Sequence, residues 1–295
     1  MDSPSFALPK TLVLAVTALA MSVVVVALAA EAQSPSLEVL VDRMGAYLRD
    51  YESKAFELVA DEQYEQWIRR RPGYSGGTVQ RRKLNSMYFL VRLPGGQAWY
   101  GFRDVTSVDG RLLPRTQRSM SDLLSERTVD AFDEALRIVR ESAKYNIGGV
   151  YRTLNVPLQT LELFSRFRDR FDFSKVGLEK VKGQPAVIVG FRERSTPTVV
   201  SDGFDGDLLA HGRVWVEPAT GSVLRTEMGF DGPGVVALKE TLIRVEYERD
   251  PRLQLLVPRQ MEETYGFDVE VLHGRATYRN FRRFETAGRL VTQPE

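Results

Sequence analysis

The stretch Gly212–Gly229 constrains the fold most, because almost every residue in it fits a β-hairpin. It reads GRVWVEPATGSVLRTEMG. Val214 and Val216 share one face of the first half and Trp215 lies on the other, which is the two-residue period of a strand. Within Pro218–Gly221, the proline presets φ for a turn and the glycine supplies the positive φ that closes it. The stretch therefore predicts two antiparallel strands joined by this turn.

The N-terminal segment 1–32 predicts an export signal. One cation, Lys10, precedes an uncharged apolar run over 11–30, and the small-residue exit Ala-Glu-Ala at 30–32 follows it. The run is long enough to span a bilayer, so an uncleaved N-terminal anchor, and with it membrane association, is the alternative. We expect cleavage before Gln33, which predicts a periplasmic or secreted protein.

Composition excludes several classes of site. The chain has no cysteine, so disulfides, zinc–thiolate sites, iron–sulfur clusters and thiol nucleophiles are excluded, as is the acylated cysteine of a bacterial lipoprotein. Its 40 basic and 39 acidic residues nearly cancel, which argues against a nucleic-acid partner. About 260 residues follow the leader, enough for a large hydrophobic core.

The periodicity after the leader predicts one α+β domain over 33–292. An amphipathic helix is expected over 37–51, then a long strand over 53–67, for which a helix is the competing interpretation. A helical insertion spans about 119–170 with strands on both sides of it, and 195–211 reads as a polar loop. The count of about ten strands is too high for a flat sheet. We therefore expect a strongly curled antiparallel sheet, a half-barrel, with helices on its concave side.

Two shorter patterns lie in the predicted strands between 81 and 113. Asp109-Gly110 is a strong signal for a type I′ hairpin turn. Arg103-Asp104 interrupts a strand-like run, so an ion pair at this point is either buried or on the surface. A surface pair would contribute only about 0–1 kcal/mol to stability.

The patterns that suggest reactive chemistry are weak. Residues 73–77 match G-x-S-x-G, but a nucleophile elbow needs a helix directly after the serine, and no helical apolar stripe follows Ser75. A hydrolase acting through Ser75 is therefore the last-ranked alternative. Asp202–Asp207 lacks the spacing and closing glutamate of an EF-hand, and His211 and His273 lack metalloprotease spacing. No catalytic residue, metal or cofactor is predicted.

Large aromatic residues are the candidates for a ligand site. Trp99, Phe102, Trp215 and Tyr247 all lie in predicted strands and are expected to line a concave apolar cavity. Ordinary core packing is the alternative for the same four residues.

The hairpin also carries a family resemblance. Residues 212–225 resemble the G-x-x-W-x-(D/E)-P-x-T-G-x-(V/L)-x-R hairpin of lipoprotein-carrier-like exported proteins, the superfamily of the Lol lipoprotein carrier and related envelope-stress sensors. A closer resemblance, over most of the mature chain, is to an uncharacterised family of exported bacterial proteins, and it implies no known activity. Its shared runs are similar to Phe102–Val105, Val108–Gly110, Glu141–Gly148, Arg152–Pro157 and Gly274–Arg282. The carrier resemblance implies a half-barrel whose concave side takes acyl chains.

Two functional hypotheses follow. The first is an exported, non-catalytic binding protein, a carrier or sensor of a lipid-like or acyl ligand in the cell envelope. Burial is worth about 0.8 kcal/mol per CH₂, so an acyl chain could supply on the order of 10 kcal/mol before ordering costs. The second is a structural or interaction protein with an envelope partner, whose core its own side chains fill. A void between the helices and the sheet would favour the first hypothesis.

Overall fold

A computed structural model of the chain shows α-helices packed on a large antiparallel sheet. It describes residues 35–55, 57–74, 80–92, 99–114, 120–126, 128–148, 157–201, 206–231 and 240–283. The helices are α1 (Leu37–Ala55), α2 (Met120–Glu126), α3 (Val129–Ser142) and α4 (Gln159–Phe167). The strands are β1 (Leu58–Arg70), β2 (Arg81–Arg92), β3 (Trp99–Val108), β4 (Arg111–Leu112), β5 (Phe171–Val181), β6 (Gln184–Glu193), β7 (Val200–Ser201), β8 (Asp207–Val216), β9 (Val223–Asp231), β10 (Glu240–Asp250), β11 (Leu255–Gly266) and β12 (Glu270–Arg283).

The strands form one continuous open path. Their order is β4-β3-β2-β1-β12-β11-β10-β9-β8-β6-β5, and β7 pairs with β8 beside this path. Every pairing along the path is antiparallel. Because β4 and β5 are separate ends, the sheet does not close. The expectation of an α+β protein with an open antiparallel sheet is confirmed.

The two faces of the sheet differ in burial. On β1, Leu58, Ala60 and Tyr64 are at most 2% exposed, whereas the alternate residues Asp61 and Glu65 are exposed. The face that carries Tyr64 is covered by α1 and α4, and we call it the inner face. The opposite face, which carries Glu65, is the outer face. The alternation from Ala60 to Gln66 is what a strand with one buried side requires.

Helices α1 and α4 fill the inner face. The stripe Leu40, Met44 and Leu48 on α1 has the four-residue spacing of an amphipathic helix and is at most 1% exposed. On α4, Phe164 is 2% exposed and belongs to the same hydrophobic cluster. Ser36 begins α1 as an N-cap, since its hydroxyl oxygen accepts the Val39 amide hydrogen bond at 3.4 Å.

The helical insertion is divided between the two faces. Phe89 and Phe102 are direct cross-strand partners on the outer face of β2 and β3, and they form a second cluster with α2 and α3. The rings of Phe102 and Phe132 lie edge to face at 5.4 Å. The reason is in the sequence of β2: Met87–Val91 is apolar without alternation, so both faces of this strand need cover.

A row of alternating charges crosses the outer face from β8 to β2. Its members, each the cross-strand neighbour of the next, are Arg213, Glu227, Arg244, Glu262, Arg275, Glu65 and Lys83. Glu227 accepts hydrogen bonds from Arg213 Nε at 3.0 Å and from Arg244 Nε at 2.7 Å. A slip of one residue in any strand would turn its charge to the inner face, so the row specifies register.

The predicted hairpin turn anchors α1 to the sheet. Gly221 closes the turn with φ +77°, and Arg43 Nη1 of α1 donates to the Pro218 carbonyl at 2.5 Å. The Glu217 carboxylate accepts from the Ala219 amide at 3.1 Å, which rigidifies the turn. A Cβ atom at Gly221 would lie 2.3 Å from the backbone carbonyl carbon of Arg43. Glycine is therefore required there both for φ and for the close approach of the helix.

Two predicted boundaries are wrong and one turn is confirmed. Residues 53–55, predicted as strand, end α1, because the fully buried Ala55 continues its apolar stripe. Residues 207–211, predicted as loop, begin β8, where the buried Glu193 carboxylate accepts the Ala210 amide hydrogen bond at 3.2 Å. Asp109-Gly110 has positive φ at both residues, 50° and 80°, which is the predicted type I′ turn.

Replacing Gly221 tests the anchoring contact. We expect Gly221→Ala to lower the free energy of unfolding by about 2–4 kcal/mol, because strain at positive φ adds to a clash with the α1 backbone. The matched control is Gly110→Ala, where φ is +80° but no atom lies within 4 Å of the new Cβ. That control should lose only about 1 kcal/mol. Equal losses in denaturant unfolding would contradict the contact.

Candidate functional site

The interior between the inner face and helices α1 and α4 has an aromatic region. Phe164 of α4 contacts Phe171, Phe173 and Phe191 with ring centroids 5.4, 5.6 and 4.7 Å away, all edge to face. Phe171 and Phe173 lie on β5 and Phe191 lies on β6, so this region is at the β5 end of the sheet. Edge-to-face aromatic pairs contribute about 0.5–1.5 kcal/mol beyond their buried area. This region is closely packed and mainly aromatic, with the buried Glu193 carboxylate next to Phe171 at its edge.

A buried ion pair marks a second, polar region under β1 to β3. Arg103 donates to both Glu62 oxygens, from Nε at 2.5 Å and from Nη2 at 2.7 Å. The Glu62 side chain is fully buried and that of Arg103 is 11% exposed. The Arg103 guanidinium also lies over the Tyr64 ring, 4.7 Å from its centroid. Burial alone would lower the pKa of Arg103, but the adjacent Glu62 carboxylate raises it overall, so the guanidinium is charged.

Tyrosine hydroxyls surround this ion pair and reach towards the aromatic region. Tyr88 and Tyr278 are 1% exposed, with ring centroids 5.6 Å apart. Tyr247 donates its hydroxyl to the Pro157 carbonyl at 2.8 Å, and Tyr51 of α1 is 1% exposed. Burial raises the pKa of all four, with the Glu62 charge as a second cause for Tyr88 and Tyr278. They remain neutral hydroxyls at physiological pH.

Two adjacent inner-face hydroxyls of β2 lack a partner. Tyr88 and Ser86, which are 1% and 4% exposed, have no side-chain hydrogen bond among the described residues. Ser86 is the direct cross-strand neighbour of Glu62. Buried hydroxyls are nearly always hydrogen-bonded. This corner of the interior therefore has unused hydrogen-bonding capacity.

The four aromatic residues expected to line one cavity are not brought together. Tyr247, 3% exposed, lies on the inner face. Phe102 lies on the outer face beneath α3, and Trp215 also lies on the outer face. Trp99 belongs to β3, and its side chain is outside the described residues. Of the three predicted residues whose side chains are described, Tyr247 alone lies in the interior.

Trp215 packs among charged outer-face residues instead. Its ring lies between the guanidinium carbons of Arg213 and Arg225, which are 5.3 and 5.0 Å from the ring centroid. Its indole Nε1–H donates to the Glu179 carboxylate at 2.7 Å. This hydrogen bond is a main reason why the pKa of Glu179 is lowered. The tryptophan of the hairpin therefore packs on the outer face of β8 and β9 and not in the interior.

The buried Glu62–Arg103 pair was not predicted, although the sequence carries a signal for one of its two members. Glu62 is in phase with Ala60 and Tyr64 on β1, so the alternation already placed a carboxylate on the buried face. Its partner Arg103 had been considered for an ion pair with a neighbour in sequence. The actual partner is 41 residues away, and pairing over such a distance follows from the sheet order.

Several predicted features fall outside the described residues. These are the export signal, the G-x-S-x-G serine Ser75 and most of the acidic loop, at 202–205. His211 and His273 lie on the outer face of β8 and β12. Across the described ranges, no group of three potential metal ligands comes together, and no helix is long and apolar enough to cross a membrane.

Comparisons with known proteins return solved structures of low sequence identity. Neither a protein-family model nor a curated protein matches this chain. An outer membrane lipoprotein-sorting protein domain from Vibrio parahaemolyticus is similar, with 12% identity over 84% of this chain and 93% of that one (TM-score 0.38). So is a LolA superfamily protein from Nitrosomonas europaea, with 8% identity over 81% and 93% (TM-score 0.33). MucB of Pseudomonas aeruginosa, solved with MucA, has 11% identity over 82% and 99% (TM-score 0.21).

These likenesses are too distant to assign a family or a role to this chain, so the relationship inferred from the hairpin stays a prediction. What this chain binds has to be argued from its own interior.

Tyr88→Phe tests the unpartnered hydroxyl. We expect the free energy of unfolding to rise by about 1 kcal/mol, because a buried polar group without a hydrogen bond is removed. The control is Tyr64→Phe, whose hydroxyl donates to the buried Glu263 carboxylate and whose loss should cost about 1.5–3 kcal/mol. Denaturant unfolding measures both. A loss of stability in Tyr88→Phe would show that its hydroxyl has a partner.

Alkaline pH tests the burial of the tyrosines. The unfolded chain loses phenol protons near pH 10, whereas the raised pKa values of Tyr51, Tyr88, Tyr247 and Tyr278 keep these residues protonated in the folded state. Stability is therefore fully present below pH 10 and falls above it, by about 1.4 kcal/mol per pH unit for each such tyrosine. Phenolate absorbance should rise together with loss of circular dichroism. Complete titration near pH 10 in a folded chain would contradict this.

Proposed function

We propose that this protein is an exported, non-catalytic binding protein of the cell envelope, a carrier or sensor of a lipid-like ligand with an acyl chain and a polar head. The observation that carries the proposal is the division of the interior into two chemistries. Aromatic side chains occupy the β5 end, and an ion pair with neutral hydroxyls occupies the region under β1 to β3. An amphiphilic ligand presents the same two chemistries side by side.

The polar head is assigned to the corner at Tyr88 and Ser86. Both hydroxyls are buried without a partner among the described residues, and the Glu62–Arg103 pair lies beside them. A head group that accepts or donates hydrogen bonds would remove the desolvation cost of leaving these hydroxyls unpaired, about 1–3 kcal/mol each. The acyl chain would then run towards Phe164.

Binding requires α1 to move. In the described state Leu40, Met44 and Leu48 occupy the space that the acyl chain needs, each at most 1% exposed. Burial of each of these side chains stabilises the folded state by about 1.5–3 kcal/mol, and burial of an acyl chain contributes about 0.8 kcal/mol per CH₂. A chain of ordinary length therefore offsets the loss of these contacts. The contact of Arg43 with the hairpin turn acts as the latch that holds α1 in place.

The second candidate is a structural or interaction protein of the envelope. The complete burial of the α1 stripe favours it, because the interior is filled by the chain's own side chains without any ligand. The two candidates differ in what happens to α1. A carrier or sensor releases α1 when lipid arrives, whereas a self-filled protein keeps it in place.

Arg43→Ala tests the carrier hypothesis. We expect a fluorescent fatty acid to bind this variant several-fold faster than the unaltered chain, because the latch to the Pro218 carbonyl is lost. The control is Lys54→Ala on the same helix, which removes an exposed ion pair with Asp50 and leaves the latch intact. Stopped-flow fluorescence measures the rate, and mass spectrometry of extracted, natively purified protein identifies co-purified lipid.

The outcomes separate the two candidates. Faster binding by Arg43→Ala together with an unchanged Lys54→Ala supports the carrier. Absence of binding by all three proteins, with no co-purified lipid, rejects it in favour of the self-filled protein. N-terminal sequencing of the exported product tests the localisation, since an intact Met1 would contradict cleavage after residue 32.

A further inference from the structure

The buried ion pair of the interior crosses β2 diagonally. Glu62 of β1 is the cross-strand neighbour of Ser86, and Arg103 of β3 is the cross-strand neighbour of Tyr88. The carboxylate and the guanidinium nevertheless meet, at 2.5 and 2.7 Å, so the pair spans the strand between the positions of Ser86 and Tyr88. The ion pair and the two hydroxyls therefore form one group on the inner face.

The charges in this group are already matched. Both oxygens of Glu62 accept from one guanidinium, that of Arg103, which is the bidentate geometry of strong charge-assisted pairs. Tyr64, whose ring lies against Arg103, donates its hydroxyl to Glu263, another buried carboxylate. An anionic head group would therefore come next to carboxylates, beside an arginine that Glu62 has already neutralised. A cationic head group would meet the guanidinium itself. A buried charge without a partner costs far more than a buried hydroxyl.

The capacity that remains belongs to hydroxyl groups. Ser86 and Tyr88 are buried and have no side-chain hydrogen bond among the described residues. A hydroxyl offers one donor and two acceptor positions, so each of the two can both donate to and accept from a partner. Tyr88 stays neutral, because burial raises the pKa of its phenol. The chemistry that complements this pair is a hydroxyl or a carbonyl without charge.

Helix α1 covers this corner in the described state. Tyr51 of α1 belongs to the same hydrophobic cluster as Tyr88. Burial raises the pKa of Tyr51, and the proximity of Tyr88 is a further cause, so the two phenols lie near each other. Release of α1 would remove Tyr51 and leave its place beside Tyr88 to the head group.

We propose that the head group bound at this corner is uncharged and carries hydroxyls, as in a monoacylglycerol or another lipid alcohol, and that fatty acids and anionic phospholipids are disfavoured. The inference rests on the proposed carrier function and narrows its ligand to one class of lipid. Ser86 and Tyr88 bind the hydroxyls of the head. The Glu62–Arg103 pair excludes a further charge, and an unpaired charge is an effective device for rejecting a wrong ligand.

Monolauroylglycerol and laurate test the head group, because they carry the same acyl chain on a hydroxylated and an anionic head. Displacement of the neutral fluorescent probe N-phenylnaphthylamine from the full chain measures both affinities, at a pH where laurate is ionised. We expect monolauroylglycerol to bind at least about tenfold more tightly than laurate, which corresponds to the cost of leaving a buried polar group unpaired.

Variants of the two hydroxyls show where the preference arises. Tyr88→Phe and Ser86→Ala should each weaken monolauroylglycerol about threefold to tenfold, the usual effect of losing one hydrogen bond, and change laurate less than about twofold. The matched control is Thr241→Val, which removes another buried hydroxyl without a side-chain partner among the described residues, on β10 and four places from β2 in the strand order. It should leave both affinities within about twofold.

The outcomes separate this inference from the carrier function. Equal or tighter binding of laurate would overturn the head-group assignment and leave the carrier standing, and so would equal losses in Tyr88→Phe and Thr241→Val. The absence of saturable binding by the probe and by both lipids would reject the carrier function itself, and this inference with it. If Tyr88→Phe fails to fold in denaturant unfolding, Ser86→Ala serves for the same comparison.

Discussion

The contact between the Glu217–Ser222 turn and α1 is the constraint on which the rest of the structure depends. Gly221 allows the backbone of the turn to meet the backbone of the helix, and this fixes where α1 lies across the inner face. The energy of the arrangement comes from elsewhere. Burial of the side chains of Leu40, Met44 and Leu48 stabilises the folded state by about 1.5–3 kcal/mol each. The single hydrogen bond from Arg43 to the turn contributes less. The turn therefore determines position, and the apolar stripe provides stability.

The division of the sheet into two faces explains where the polar groups are. The outer-face charge row leaves no tolerance for a slip in register, because a slip would bury a charge. Against this background, a charge that is in phase with the inner face requires a specific partner. Glu62 has one in Arg103, and such a pair is a specificity device more than a source of stability, because desolvation offsets most of the attraction. Its role is to fix a polar corner of the interior under β1 to β3.

Much of the fold was predictable, because alternation and turn chemistry are local. The hairpin, its Gly221 turn and the Asp109-Gly110 turn were all readable from neighbouring residues. The contacts in the interior were less predictable from the sequence. Trp215 was expected in a cavity because it is large and aromatic, yet its place in the alternation with Val214 and Val216 already assigned it to the other face. The partner of Glu62 depended on the strand order, which single-sequence periodicity does not encode.

The β8–β9 hairpin connects the two faces of the sheet physically. Its turn contacts α1 on the inner side, and Arg213 of the same hairpin belongs to the charge row of the outer face. Between these points, Gly212 packs so closely on β9 that a Cβ there would lie 2.0 Å from the Glu227 carbonyl oxygen. Such close packing leaves the two strands no freedom to slip past each other. The place of Arg213 in the outer charge row and the place of the turn that holds α1 are therefore set together.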